Sequence, residues 1–421
     1  MPSTGRPRGN SLFIIAIFVA MLAGGLLGAL LGRELPLLAL VGDLFLAGLK
    51  MMIVPLVGSS MIVGVASLGD VRRLGRLGGL TLVYYLSTTL LAAALGLLLV
   101  NLIHPGAGVD ATSAALEGGV HEYSFLDVLR GIVPPNLFKA LAEGQMLPLI
   151  FFSLFFGAML STVGEKGAPV LAFFDGIFQV SLRMVHLVVA TAPLGVFALV
   201  ATRLGAAGGW TAFASEFRAL GLYALTVMLG LLLHGAVTLP AVLATFGRRS
   251  PLRFVRDMLE PIAVSFSTAS SSATLPVTME AVRERAGVDG RVGNFVLPLG
   301  ATVNMDGTAL YEAIAAVFIA QSYGVALTLP VQLVIIFTAT LAAVGAAGIP
   351  QAGLVTMVMV LQTAGLPAEG IGMILAIDWF LDRCRTTVNV WGDAVGAAVI
   401  ARHVRFESPE AVPRHGNGER R

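Results

Sequence analysis

The sequence predicts an all-α polytopic membrane protein whose second half is an inverted repeat of two re-entrant helical hairpins. Three observations carry that fold class. Of 421 residues, 56% are hydrophobic and only 12% charged, with a mean hydropathy of +0.86, whereas soluble domains carry about 25% charged residues. Apolar runs of about 20 residues, the length that crosses a bilayer, recur along most of the chain. Two further apolar segments are interrupted by serine, glycine and proline, and each precedes a long helix marked with polar residues. The net charge is +2 and no basic block is interleaved with aromatics, so nucleic acid is not an expected partner. The single cysteine, Cys384, excludes an intramolecular disulfide framework or a multi-cysteine metal site and is read as a small packing residue.

The first run, 11–31, follows a short basic segment with Arg6 and Arg8. It is read as a span and not as a cleaved signal peptide, because it is long and other spans follow closely. Further runs cover 37–67, 78–103, 146–164, 169–204 and 214–247, making six spans. Arg72, Arg73 and Arg76 follow the second span, and Arg248, Arg249, Arg253 and Arg256 follow the sixth. The loop after the third instead mixes Asp110, Glu117, Glu122 and Asp127 with only Arg130 and Lys139. The positive-inside rule therefore makes the N-terminus (1–10) and the even-to-odd loops cytoplasmic. The tail, 403–421, is polar and is expected to be disordered on the cytoplasmic side.

After Arg256 the pattern changes. Residues 257–283 hold two short apolar stretches around SFSTASSSATLP, neither long enough to cross a core of about 30 Å. A serine run ended by Pro276 favours a turn. Such a segment can enter the membrane only if its irregular tip is buried in protein or lines a cavity. A second interrupted segment, 331–366, breaks at VGAAGIPQAG, where Gly345, Gly348, Pro350 and Gly353 oppose a continuous helix. Each segment is followed by one long helix, 291–323 and 368–402. Charge places the start of the first long helix inside, so the two hairpins enter from opposite sides. Paired broken segments of opposite sense point to a solute site near the midplane.

Polar residues at membrane depth sharpen that reading. In the last helix Asp378, Asp382, Arg385, Asn389 and Asp393 recur at helical spacing and form one narrow stripe, flanked by Arg383 and Thr386. One ionised group at the bilayer centre costs about 3 kcal/mol even on insertion scales, so this face cannot meet lipid. Asp382 and Arg385 could simply satisfy each other as i,i+3 neighbours, which leaves Asp378, Asp393 and Arg383 without a structural reason. The preceding helix carries NMDGTALYEA, with Asn304, Thr308 and Glu312 on one face. Asp306 would point elsewhere on a regular helix, but Gly307 permits unwinding there. An unwound turn with a carboxylate suits a hard cation such as Na+. YYLSTT in the third span adds the oxygens of Tyr85, Thr88 and Thr89, which taken alone would more often be packing hydroxyls. The six histidines, 104, 121, 186, 234, 403 and 415, show no ligand spacing and are read as structural or exposed.

Five stretches, LKMMIVPLVGSSMIVGV, ASSSATLPVTME, NMDGTALYEAIAAVFIAQ, GAAGIPQAGLVTMVMVLQTAGLP and DWFLDRCRTTVNVWGDAVGAAVI, lie in order along most of the chain. With NMDGT and DRxRTTxNVxGD as the specific motifs, the chain resembles the dicarboxylate/amino acid:cation symporter family, the glutamate transporter homologues. The resemblance implies eight transmembrane helices plus two re-entrant hairpins, assembled as a homotrimer in the lipid of a cell membrane, with a bacterial inner membrane expected. Residues 11–255 would supply helices 1–6, a largely trimeric scaffold from which helices 3 and 6 join the transport domain. Residues 256–402 would form a transport core that moves as an elevator. The implied activity is symport of glutamate or aspartate with Na+, with a proton as a further coupled ion and no organic cofactor.

Carried over residue by residue, Ser270, Ser271 and the first hairpin tip would hold the substrate α-carboxylate, Asp382 its ammonium group and Arg385 its side-chain carboxylate. Thr308, Thr386 and Asn389 would add hydrogen bonds, and the main chain near Ile349 and Gly353 would close the second hairpin. Sodium sites would use Asp393, Asn389, Asn304 and the Gly300 carbonyl; then Tyr85, Thr88, Thr89, Asn304 and Asp306; then the main chain near Thr308 and Ala346. Glu312 matches the position linked to proton coupling in animal relatives, and Arg383 takes their arginine position where archaeal relatives place one before the hairpin serines, here Ala269.

Rival readings are weaker. A serine hydrolase would pair Ser270–Ser272 with a base such as His186, but no oxyanion motif is present. A channel would need steady substrate-free anion current. A C4-dicarboxylate such as succinate, fumarate or malate would meet the unpaired charge of Asp382. A neutral amino acid would leave Arg385 without a partner.

Overall fold

Backbone groups in an apolar medium must bond internally, and the computed structural model is helical wherever it is regular. It describes residues 8–33, 35–66, 71–108, 133–142, 146–206, 210–346, 348, 350 and 352–404, and no strand occurs among them. The early spans appear as α1 (Arg8–Leu31), α2 (Pro36–Ala66), α3 (Val71–Ile103, broken near its start at Gly75), a short α4 (Leu137–Ala142) and α5 (Met146–Thr162). The acidic loop residues Asp110, Glu117, Glu122, Asp127 and Arg130 lie outside the described residues, as does the tail beyond 404.

The expected fifth span, 169–204, is two helices, α6 (Ala168–Ala190) and α7 (Ala192–Ala206). Pro193 cannot donate to the helical ladder and its ring crowds the carbonyl four residues back. The Thr191 N–H accordingly tightens onto Val188 O at 3.0 Å. The sixth span, α8, starts at Trp210–Leu233 and continues to Gly247 through two π-helical turns, His234–Thr238 and Leu243–Gly247. Pro240 lies between them, and widening the ladder relieves the same clash.

Both interrupted segments form helical hairpins. After a short α9 (Pro251–Asp257), α10 (Leu259–Thr268) and α11 (Ser271–Glu280) meet at Ala269, whose φ of 50° reverses the chain. The second hairpin pairs α14 (Leu329–Gly345) with α15 (Ala352–Thr363). The long helix 291–323 expected after the first hairpin is instead two, α12 (Gly290–Val303) and α13 (Asp306–Ser322), separated by non-helical Asn304 and Met305. The last helix, α16 (Ile371–His403), is continuous. At the start of α12, Asp289 caps the helix, and hydrogen bonds from the Arg291 side chain and backbone hold its carboxyl below the usual range.

The most extensive packing falls in two sets of helices that also touch each other. Helix α1 runs along α7, and α2 packs on α5, α6 and α7. Helix α13 is sheathed by α3, α8, α14 and α16, and is buried along its length except at Gln321. Among the described residues, five helical stretches could cross a membrane by length and composition: Pro36–Ala66, Gly75–Ile103, Gly164–Ala190, Ala214–Gly247 and Gly290–Ser322. Cys384 is half-buried and packs on the core, as read from the sequence.

Candidate functional site

The break between α12 and α13 is where buried polar groups from four helices meet. The chain unwinds at Asn304 and Met305, not at Gly307 as expected. Gly307 is helical and serves close approach instead: a Cβ there would stand 2.7 Å from the Arg385 carbonyl oxygen on α16. Unwinding frees the Asn304 and Asp306 side chains to face the same cluster, which a continuous helix would forbid.

In the first half of the cluster, Asn304 Nδ2 donates to Asp393 Oδ1 at 2.9 Å. Thr89 donates to Asp306 Oδ1 at 2.7 Å, and Thr88 lies 3.3 Å from both that oxygen and Asn304 Oδ1. The sequence left Thr88 and Thr89 open between packing and binding roles, and the structure turns both toward a carboxylate. Tyr85 donates to Val296 O at 2.6 Å and Tyr84 to Gly392 O at 3.0 Å. A Cβ on Gly300 would fall 2.3 Å from Asp393 Oδ1 and 2.6 Å from the Tyr85 hydroxyl, so only glycine admits both groups. Asp306 and Asp393 are both buried, and among the described residues neither is paired with a lysine or arginine. Burying uncompensated carboxylates is expensive, and the oxygen-rich cluster fits a hard, desolvated cation.

Sequence reasoning missed one member. His234, read as structural, is fully buried with Nε2 2.9 Å from Asp306 Oδ2. The available signal was Pro240, which forces the π-turn that begins at His234.

The second half centres on Arg385, only 1% exposed. Its Nη2 bonds Asp382 at 2.8 Å and lies 3.3 Å from Asp378, while the guanidinium sits 3.9 Å over the Tyr311 ring. The i,i+3 pair allowed by the sequence therefore forms, and Asp378 and Tyr311 join it. Among the described residues, Nε and Nη1 of Arg385 have no hydrogen-bond partner. A Cβ on Gly353 in the second hairpin would lie 2.7 Å from Nη1, so this hairpin covers the unused fork. Asn389 accepts from the Gly307 N–H at 2.8 Å and lies 3.4 Å from the Thr308 hydroxyl. Thr386 is buried one residue along from Arg385. Arg383 donates to the Phe266 and Ser267 carbonyls, closing the end of α10.

The hairpin tips meet beside these groups. Ser270 caps α11 by accepting from Ala273 N at 3.1 Å and donates to Gly348 O at 2.7 Å. Ser272 N reaches the same carbonyl at 3.1 Å, and Ser271 is buried at the first turn of α11. Ala346 is buried and ends α14, whereas Ile349 lies outside the described residues. Glu312 is fully buried, with the Thr356 hydroxyl beside it. The structure thus gathers Tyr85, Thr88, Thr89, Gly300, Asn304, Asp306 and Asp393 in an oxygen-rich cluster and Asp382, Arg385 and Gly353 in a guanidinium one, with Asn389 reaching Gly307 and Thr308; Ser271, Ala346 and Thr386 are buried. His186, the base of the hydrolase reading, is exposed on α6.

Residues 13–403 match the family model described as the sodium:dicarboxylate symporter family. The chain is 35% identical to excitatory amino acid transporter 1 of Ambystoma tigrinum, covering 96% of this chain and 85% of that protein. It is 39% identical to human (Homo sapiens) excitatory amino acid transporter 3, covering 86% and 79% respectively. Neutral amino acid transporter B(0) of Oryctolagus cuniculus is also 39% identical, covering 94% and 81%.

Proposed function

The chain belongs to the sodium:dicarboxylate symporter family, and from that premise we propose that it takes up acidic amino acids, glutamate or aspartate, with Na+. It is a multi-pass membrane transporter and not an enzyme. The observation that carries the substrate reading is the buried Arg385, with Nε and Nη1 unpartnered among the described residues beneath the second hairpin. A guanidinium fork matches a carboxylate bidentately, and a neutral side chain would leave those donors unsatisfied. Asp382, next to it, would receive the substrate ammonium group, which C4-dicarboxylates lack. The α-carboxylate would sit at the start of α11 by Ser270 and Ser271, where the helix N-terminus favours an anion. Thr308, Thr386 and Asn389 would complete the substrate contacts, and the main chain around Ile349 and Gly353 would form the cover.

Na+ would be held in the oxygen-rich cluster, by Asp393, Asn304, Asn389 and the Gly300 carbonyl, and by Asp306, Thr88, Thr89 and Tyr85. A further site would use main chain near Thr308 and Ala346. What supports this is the pair of buried carboxylates that, among the described residues, have no lysine or arginine partner. Glu312 would carry a coupled proton, since a buried carboxyl in an apolar span is most readily accommodated neutral.

In the moving-barrier mechanism we propose, 256–402 with α3 and α8 travels as an elevator. The remaining early helices form the trimeric scaffold in a bacterial inner membrane, with both termini cytoplasmic. The extensive packing of α3 and α8 on α13, beside that of α1 on α7 and α2 on α6, supports that division, the two sets meeting where α2 touches α14 and α15 and α7 touches α16. The test is uptake into proteoliposomes of labelled aspartate, glutamate, succinate and serine under separate Na+ and H+ gradients. Na+-driven accumulation of aspartate or glutamate is expected. Accumulation of only serine would favour a neutral substrate, the reading raised by the 39% identity to the neutral transporter; uptake of only succinate would favour a dicarboxylate.

A further inference from the structure

We propose that His234 is a positioning residue for the cation cluster: its Nε2–H holds Asp306 Oδ2 so that the other carboxylate oxygen faces Thr88 and Thr89. This rests on the reading of Asp306 as a Na+ ligand. The contact is 2.9 Å, and both side chains are fully buried. A carboxylate bound to a cation can only accept, so Nε2 is the donor. The other ring nitrogen, Nδ1, has no partner among the described residues, so the side chain's one hydrogen bond there is that to Asp306.

Two further features show that the histidine is placed with care. The π-turn begins at His234, the Leu239 N–H bonding back five residues to its carbonyl. Such bulges are rare within α-helices and are frequent at functional sites. The next carbonyl, that of Gly235, accepts from Trp391 Nε1 at 3.0 Å, which ties the bulge to α16 two residues from Asp393. The side-chain direction of His234 is thereby set against both carboxylates of the cluster.

The division of labour at Asp306 follows. Oδ2 takes His234, and Oδ1 takes Thr89 and Thr88. Thr88 has the Tyr84 and Tyr85 carbonyls, at 3.2 and 3.3 Å, as alternative acceptors. Its hydroxyl proton can therefore turn away when a cation takes its lone pair, whereas His234 keeps its bond. Without His234 the carboxylate would lose its fixed orientation and retain a buried, unsatisfied oxygen. Outer-shell hydrogen bonds to metal ligands typically govern affinity by about 10- to 100-fold.

The experiment is a Na+ titration of the full-length protein in lipid nanodiscs, without substrate, reading the rise in melting temperature that selective binding to the folded state produces. Glutamine places an amide nitrogen near the position of Nε2, whereas asparagine places one near Nδ1 and cannot reach Asp306. His234→Leu and His234→Asn should raise the half-effective Na+ concentration about 10-fold or more, and His234→Gln should stay within about threefold of wild type. A lower melting temperature at every Na+ concentration with an unmoved midpoint would make His234 purely structural and overturn the proposal. So would equal midpoints for His234→Gln and His234→Asn, which settles the matter even if His234→Leu does not fold. Asp306→Asn separates the two levels of the argument. If it keeps the wild-type midpoint, the cation reading of Asp306 fails; if it loses the response while the His234 variants keep theirs, only the histidine proposal fails.

Discussion

Replacing Arg385 with lysine separates the charge of the site from its geometry. An ammonium group at this position can still face Asp378 and Asp382, which now lie 3.3 and 2.8 Å from Nη2. What lysine cannot supply is the planar fork whose Nε and Nη1 are unpartnered among the described residues beneath Gly353. A hydrogen bond to a charged group contributes about 1.5–3 kcal/mol, and each 1.4 kcal/mol is tenfold in affinity. Losing one such bond to the substrate side-chain carboxylate therefore weakens aspartate binding about 10- to 100-fold, while serine, which has no such carboxylate, changes little. Arg385→Cys goes further: aspartate uptake should be abolished and serine or alanine transport spared or created. Its folded yield should also fall, since breaking a buried ion pair typically costs about 3–5 kcal/mol. The assay is competition of unlabelled aspartate and serine against labelled substrate in proteoliposomes at fixed Na+. If Arg385→Lys moved aspartate with the wild-type half-saturation, or if aspartate and serine weakened equally, the fork would not read the acidic side chain.

Three other outcomes are expected. Asp393→Asn should raise the Na+ concentration needed for uptake and leave the ranking of amino acids unchanged; altered ranking with intact Na+ dependence would exchange its role with that of a substrate contact. Glu312→Gln, which fixes the neutral form, should preserve substrate exchange but slow net uptake and remove its pH dependence between about pH 6 and 8, near which ordinary proton carriers operate; identical pH profiles for exchange and net flux in mutant and wild type would return Glu312 to packing. Ser270→Ala removes both the α11 cap and the link to Gly348. A lost cap costs about 1 kcal/mol, so a lower melting temperature and about fivefold weaker substrate binding are expected in equilibrium binding to purified protein, and unchanged binding would show that the hairpin contact is incidental.

Some of this molecule is written in local sequence. The composition and 20-residue apolar runs require helices that bury their own backbone polarity, because lipid offers no hydrogen bonds. The Asp378–Asp393 stripe is legible because helical period is a local property: spacing alone puts these side chains on one face. The hairpin turns are legible because serine, glycine and proline oppose helix within one turn of chain. Proline effects were only partly used. Pro193 splits the fifth span and Pro240 generates the π-turn, both within single apolar runs that hydropathy reads as continuous.

What only the tertiary structure decides is which polar groups meet. The partnership of Asp306 with Thr89 and His234 joins residues 217 and 72 positions apart, and no periodicity within one helix encodes it. The position of the break, at Asn304 and Met305 and not at Gly307, follows from α16, whose backbone at Arg385 comes so close to Gly307 that a helical turn with no side chain is required there. His234 looked structural because its neighbours in sequence are apolar, whereas its neighbour in space is a buried carboxylate. Burial makes an unpartnered charge so costly that its partner has to be found wherever the fold delivers one, and that partner can come from any helix in the bundle.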